Sequence, residues 1–149
     1  MSNEPTAFTD SELAYLSGQR LGRLATVSPS GAPQNNPVGF WVNAELGTID
    51  IFGLNLAKSK KYRNLKGNPN VAFVVDDLAS VDPWVVRGVE VRGTAEALEG
   101  VAPPIAHMSR EVIRVHPKRI ISWGVDPGSL SMSARDVTGD VAGNTNEAA

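Results

Sequence analysis

Residues 84–97, WVVRGVEVRGTAEA, alternate in a way that constrains the fold more than any other stretch. Val85, Arg87, Val89 and Val91 fall on one side of an extended chain, and Val86, Gly88, Glu90 and Arg92 on the other. A repeat of two is the signature of a strand; on a helix the same valines would scatter round the axis. The face that carries Glu90 and Arg92 is expected to meet solvent or a subunit interface. A chain built round such a strand needs a sheet to hold it.

The neighbouring segments supply that sheet. Leu24 to Val27 is a short apolar run, Ser28-Pro29-Ser30-Gly31 is a turn, and Pro37 to Val42 is a second strand, so this region reads as a hairpin. Glu45-Leu46-Gly47 turns the chain into a strand from Thr48 to Phe52. Val71 to Val75 is another strand, Asp76 to Pro83 a polar connection, and Lys118 to Trp123, KRIISW, the last strand. Thr9 and Glu12 have capping-box spacing, predicting a helix from Asp10 to Leu16 that Gly18 ends. Ile105 to Val115 is predicted to be helical, with Pro117 just after it. Five or six short strands with few helices predict a mainly β fold, a small barrel or sandwich. From Asp126 the composition shifts to Gly, Ser, Asp, Asn and Ala, and residues 138–149 read as a disordered tail.

Composition narrows the function classes. A chain of 149 residues fits one domain with a real core. A formal net charge of -2 gives no indication of nucleic-acid binding. The absence of cysteine excludes disulfides, thiolate metal sites and a cysteine nucleophile. His107 and His116 are isolated, neither with a second ligand at metal spacing, so no metal site is expected. The start, MSNEPTAFTD, is polar and acidic, unlike a secretory signal, and no apolar run has the length of a membrane span. A cytoplasmic protein is expected.

Against this near-neutral background the segment from Asn55 to Val75 stands out. Lys58, Lys60, Lys61, Arg63 and Lys66 place five cations within nine positions. A lysine cluster on a helix is most often a solvated face. A short cationic helix after a strand also suits a small anionic ligand, a phosphate or carboxylate. Lys58 and Lys61 are three apart and share a face at helical spacing, while Lys60 points elsewhere.

GRLATVSPSGAPQNNPVGFWVN, TIDIFG, KSKKYRNLKGNPNVAFVVDD, VVRGVEVRGTAEAL and HPKRIISWGVD follow one another in this order. In that order and spacing the chain resembles the pyridoxamine-5'-phosphate-oxidase-like split β-barrel proteins, and most of all their actinobacterial branch, which uses the deazaflavin coenzyme F420. The resemblance runs from about Leu21 to Val137. It implies a six-stranded antiparallel split barrel over residues 1–137, a flavin- or deazaflavin-binding domain, and a homodimer whose second copy completes two cofactor sites. It assigns Asn35, Asn36, Pro37 and Val38 to the strand along the cofactor ring and Lys61 to the cofactor phosphate. Lys58 and Ser59 are neighbouring anchor candidates, and Trp123, which ends the last predicted strand, is a candidate ring contact. Trp41 and Trp84 read instead as core or dimer residues, and Arg87 and Arg92 as interface or surface ion-pair residues. Arg135, in SMSARDV, is a candidate to close over the cofactor tail or a partner subunit.

FMN-binding relatives commonly carry an arginine in the strand before the basic helix. Residues 48–52, TIDIF, have none, and Asp50 would repel a phosphate if it faced the same way. The expected cofactor is therefore F420, whose longer tail carries a phosphate and glutamate carboxylates, with FMN as the alternative. No nucleophile elbow, HExxH or Walker loop is present. That absence agrees with a reductase in which the cofactor holds the chemistry and hydride passes to a small conjugated substrate. The alternatives are an FMN-dependent oxidoreductase on the same fold and a non-catalytic F420- or tetrapyrrole-binding protein.

Overall fold

Residues 7–137 are described by the structure, a computed structural model. The expected tail at 138–149 lies outside the described residues. In chain order the elements are helix α1 (Asp10–Ser17), strands β1 (Leu21–Val27), β2 (Pro33–Gly39), β3 (Trp41–Asn43) and β4 (Thr48–Ile51), a 3-10 turn (Leu56–Lys58), helix α2 (Lys60–Gly67), and strands β5 (Asn70–Ser80), β6 (Val85–Glu99), β7 (Glu111–Trp123) and β8 (Met132–Asp136). The predicted class, a mainly β antiparallel split barrel, is correct, but with eight strands among the described residues in place of six.

The strands lie in the order β2-β1-β5-β6-β7-β4-β3, with β8 added to β7. The two ends of that path, β2 and β3, are consecutive in the chain and joined by Phe40 alone. The sheet therefore curls until its ends approach, leaving a seam between the end of β2 and the β3–β4 pair. Inside the curl, Leu24, Ile49, Ile51, Phe73, Val75, Val89, Val91, Val115 and Ile120 form the core. Phe40 closes the seam side by meeting Phe73 edge-on, with ring centroids 5.3 Å apart.

Two sequence expectations fail here. Ile105 to Val115 is not a helix: Glu111 onward belongs to β7, pairing Glu111 with Glu99 and Val115 with Ala95. Val112, Ile113 and Val115 are β-branched and fully buried, and the sheet on both sides of β7 outweighs the helix-like spacing. Pro117 sits within the strand rather than after a helix. The register slips between Arg92 and Gly93, so that Lys118 is left as an extra residue between Pro117 and Arg119. Gly93 is needed at that bulge because a Cβ there would collide with the His116 carbonyl. His116 is accordingly a strand residue, its Nε2 2.7 Å from Glu96 Oε1. The polar connection after Val75 is also shorter than expected, since β5 continues through Ser80.

The capping box is present as predicted. Glu12 N–H donates to Thr9 Oγ1 at 3.1 Å and Thr9 N–H to Glu12 Oε1 at 3.0 Å. Arg87 and Arg92 form the expected ion pairs, with Asp77 and Glu90. Tyr15 fastens α1 to the β5–β6 hairpin by donating to Asp77 Oδ1 at 2.9 Å. Trp84 is 68% exposed, so it is no core residue.

Candidate functional site

At the seam lies an open cavity of about 230 Å³. Its walls come from three places: Pro37, Val38 and Gly39 at the end of β2; Phe52 to Leu56 in the loop after β4; and Ser59 and Lys61 at the start of α2. The sheet closure brings these segments together. The end of β2 is near the β4 loop because β2 and β3 are joined through one residue, and β3 pairs with β4 from Trp41–Asp50 to Asn43–Thr48. A Cβ built at Gly39 meets nothing within 4 Å, so the floor is open over bare backbone.

The start of α2 is fixed by Ser59. Its Oγ accepts from Tyr62 N–H at 3.3 Å and donates to the Leu56 carbonyl at 2.6 Å. Both roles are internal, so the hydroxyl of this anchor candidate spends its proton on the Leu56 carbonyl. Ser59 also has an extended backbone, φ -78° and ψ 152°, which separates the 3-10 turn bearing Lys58 from α2. The three-residue spacing of Lys58 and Lys61 therefore does not place them on one helix face. Lys61 is half-buried in the cavity wall; Lys58 is exposed and outside it. Lys58, Lys60, Lys61, Arg63 and Lys66 have no carboxylate partner among the described residues.

Of the residues expected along a ring, Pro37 and Val38 line the cavity and Asn35 and Asn36 do not. Asn35 is exposed on the outer face of β2. Asn36 is half-buried and accepts from Gln34 Nε2 at 2.7 Å. Trp123 is also outside the cavity. It pairs with Gly88 on one side and Met132 on the other, and its ring lies over Gly88. Trp41 packs edge-on against Phe52, with centroids 5.7 Å apart, and so backs the cavity wall.

The sequence reading passed over the residue that positions the site. Asn64 is 2% exposed. Its Nδ2 donates to Thr26 Oγ1 at 3.0 Å and to Gln34 Oε1 at 3.1 Å. With the Gln34–Asn36 bond this makes a chain of amides from α2 to the edge strand β2, the two elements whose ends carry Lys61 and Pro37–Gly39 of the cavity lining. The signal was a polar residue between Tyr62 and Leu65, both buried. Tyr62 adds a second tie, donating to the Leu98 carbonyl at 3.1 Å. Burial pushes its phenol pKa upward.

Asp50 does not face the cavity. It is 5% exposed and held by Arg114, with Nε to Oδ1 and Nη2 to Oδ2 both 3.0 Å, and by Thr48 Oγ1 at 2.9 Å. The feared repulsion of a phosphate is therefore cancelled, and Arg114 is committed to Asp50. Arg135 is likewise committed. It bonds both Glu12 carboxylate oxygens, at 2.9 and 2.6 Å, and the Ala7 carbonyl at 2.7 Å, so within this chain it closes over the start of α1.

The sequence profile of the pyridoxamine 5'-phosphate oxidase family matches residues 8–124. The chain belongs to that family. It is 48% identical over 139 residues to a "5a,11a-dehydrotetracycline/5a,11a-dehydrooxytetracycline reductase" of Streptomyces rimosus, covering 91% of this chain and 97% of that one. An identity of that size over nearly the whole of both chains makes it an oxidoreductase of the pyridoxamine 5'-phosphate oxidase family. Among solved structures, a protein titled "F420 Reductase" is 29% identical with a TM-score of 0.51, covering 68% of this chain and 88% of its own. A Mycobacterium smegmatis FAD-binding protein shares the fold, with a TM-score of 0.58 at 23% identity over 79% of this chain and 96% of its own. No helix among the described residues is long and apolar enough to cross a membrane.

Proposed function

We propose that this oxidoreductase is an F420-dependent reductase of a conjugated carbon–carbon double bond, working as a homodimer with the cofactor at the seam. The observation that carries the reading is Lys61, half-buried in the wall of a cavity that mixes apolar side chains (Pro37, Val38, Phe52, Leu54, Leu56) with polar ones (Asn55, Ser59), at the head of a basic helix with no carboxylate partner among the described residues. A deazaflavin needs that combination: a slot for a flat ring and a cationic track for an anionic tail. The names of the tetracycline-type reductase and the F420 reductase support the same reading.

The residues divide the work. Pro37, Val38 and Gly39 offer a flat edge of strand, free of bulk at Gly39. Lys61 and the first-turn N–H groups of α2 attract a phosphate. Lys58 and Lys60 extend the positive field along the tail, which favours F420 over the shorter FMN. The chemistry such a group supplies when bound is delivery of a hydride to the electron-poor carbon of the substrate, with a proton from water completing the reduction. A cavity of about 230 Å³ falls below the usual 300–1,000 Å³ of ligand sites. A second copy is proposed to supply the missing wall, with Asn35 and Trp123 as the residues outside the cavity that it would bring into use.

The experiment is a side-by-side titration of the cofactor-free protein with F420 and FMN. Tighter binding of F420, weakened by Lys61→Ala, is expected. Tighter binding of FMN, with a flavin spectrum in the purified protein, would move the assignment to an FMN oxidoreductase.

A further inference from the structure

A second, larger cavity of about 480 Å³ lies on the other side of Gly39, between α1 and the β2–β3 corner. Leu13 and Leu16 form one apolar wall, Phe40, Trp41 and Val42 the other. Arg20 sits at its rim. Leu21 pairs with Gly39, so Arg20 stands one residue before that pair, close to the point where the two cavities share their lining.

Arg20 differs from most arginines in this molecule. Arg23, Arg87, Arg92, Arg114, Arg119 and Arg135 each hold a carboxylate. Arg20 holds none among the described residues, although it lines a groove whose walls are mainly apolar. A lone guanidinium beside aromatic and aliphatic walls suits a flat molecule with one ionised oxygen. The volume lies within the range of ligand sites. Gly39 lines both this groove and the seam cavity, so a molecule lying in the groove borders the residue that also borders the seam.

We infer that this groove is the acceptor site, and that it takes planar, fused-ring conjugated anions, with Arg20 pairing an enolate or carboxylate oxygen. The inference rests on the seam cavity being the cofactor site, and it deepens that reading by naming the charge of the acceptor. Arg20 is a binding residue that selects for charge; Phe40 and Trp41 supply the surface on which the rings lie.

The test uses two probes of similar shape, anthraquinone-2-carboxylate and neutral 2-methylanthraquinone, each titrated into the full-length protein without cofactor. Arg20→Gln and Ser17→Glu are the variants. Both positions are exposed, so folding is retained, and Ser17→Glu places a negative charge on the same groove lining. Each variant is expected to weaken the anionic probe by about tenfold while leaving the neutral probe unchanged. F420 affinity, measured on the same samples, should stay at the wild-type value. Equal weakening of both probes, or no weakening of the anion, would overturn the assignment. So would failure of both probes to bind a protein of dimer mass, which would give the groove to a second copy. Loss of the seam reading shows separately, as F420 failing to bind the wild-type protein.

Discussion

Asn64 Nδ2 lies 3.1 Å from Gln34 Oε1, joining the basic helix to the edge strand of the sheet. Neither lines the seam cavity, but each belongs to an element that does, so the bond ties α2 to β2 beside it. Asn64→Ala removes the donor to Thr26 as well, and is expected to cost about 1–3 kcal/mol. Gln34→Ala leaves the Thr26 bond and should cost less. Urea unfolding measures both, and the proposed role requires Gln34→Ala to weaken cofactor binding more than its loss of stability explains.

Lys61→Ala is expected to weaken F420 binding by roughly tenfold to a hundredfold, about 1.5–3 kcal/mol. Lys60→Ala, outside the cavity, should change it by about twofold at most. Equal losses in the two variants, read by fluorescence titration, would mean that the cluster acts as a diffuse field.

Gly39→Val tests the open floor shared by both cavities. Gly39 does not have a positive φ, and its Cβ would meet nothing within 4 Å, so a β-carbon itself introduces neither strain nor collision. Stability should remain within about 0.5 kcal/mol of wild type. F420 affinity should fall by at least about tenfold if the ring lies over this residue. Unchanged affinity would move the ring off Gly39.

The Glu12–Arg135 pair governs acid stability. Glu12 is 1% exposed, and burial alone would raise its pKa. The hydrogen bonds from Arg135, Thr9 N–H and Ser122 outweigh burial and hold it below the usual carboxylate value. A lowered folded pKa means stabilisation that is complete above the ordinary glutamate value near 4.5 and lost as pH falls through the folded value. Arg135→Ala should cost about 3 kcal/mol at pH 7, the low end for a broken buried pair because Arg135 stays 30% exposed. The gap between variant and wild type should narrow below about pH 4. A gap independent of pH in chemical denaturation would contradict this.

Much of the fold was legible because its signals are local. The alternation at Val85–Ala97 and the Thr9–Glu12 capping box depend on neighbours in sequence, and both stand in the structure. The stretch before Pro117 was misread because a β-branched run flanked by sheet on both sides gives no clean period of two. At the site, the sequence points to Pro37, Val38, Ser59 and Lys61, and the four lie on one cavity. Helical spacing puts Lys58 and Lys61 on one face, but the extended backbone of Ser59 lies between them and breaks the helix, which no residue type announces. Asn64 has a local signal, a polar residue between Tyr62 and Leu65, but its partners Thr26 and Gln34 lie far off in the chain. The Arg20 groove and the Phe52–Leu56 wall depend on how α1, β2, β3 and β4 meet, which no short window of sequence records.

The most direct measurement of the central claim is the loss of F420H2 absorbance with a conjugated enone as acceptor, in the presence and absence of the protein. Protein-dependent oxidation of F420H2 with stoichiometric reduction of the carbon–carbon double bond is expected, slowed in Lys61→Ala at subsaturating cofactor. Oxidation at the uncatalysed rate with every conjugated acceptor, despite bound F420, would contradict a reductase and leave a protein that only holds the cofactor.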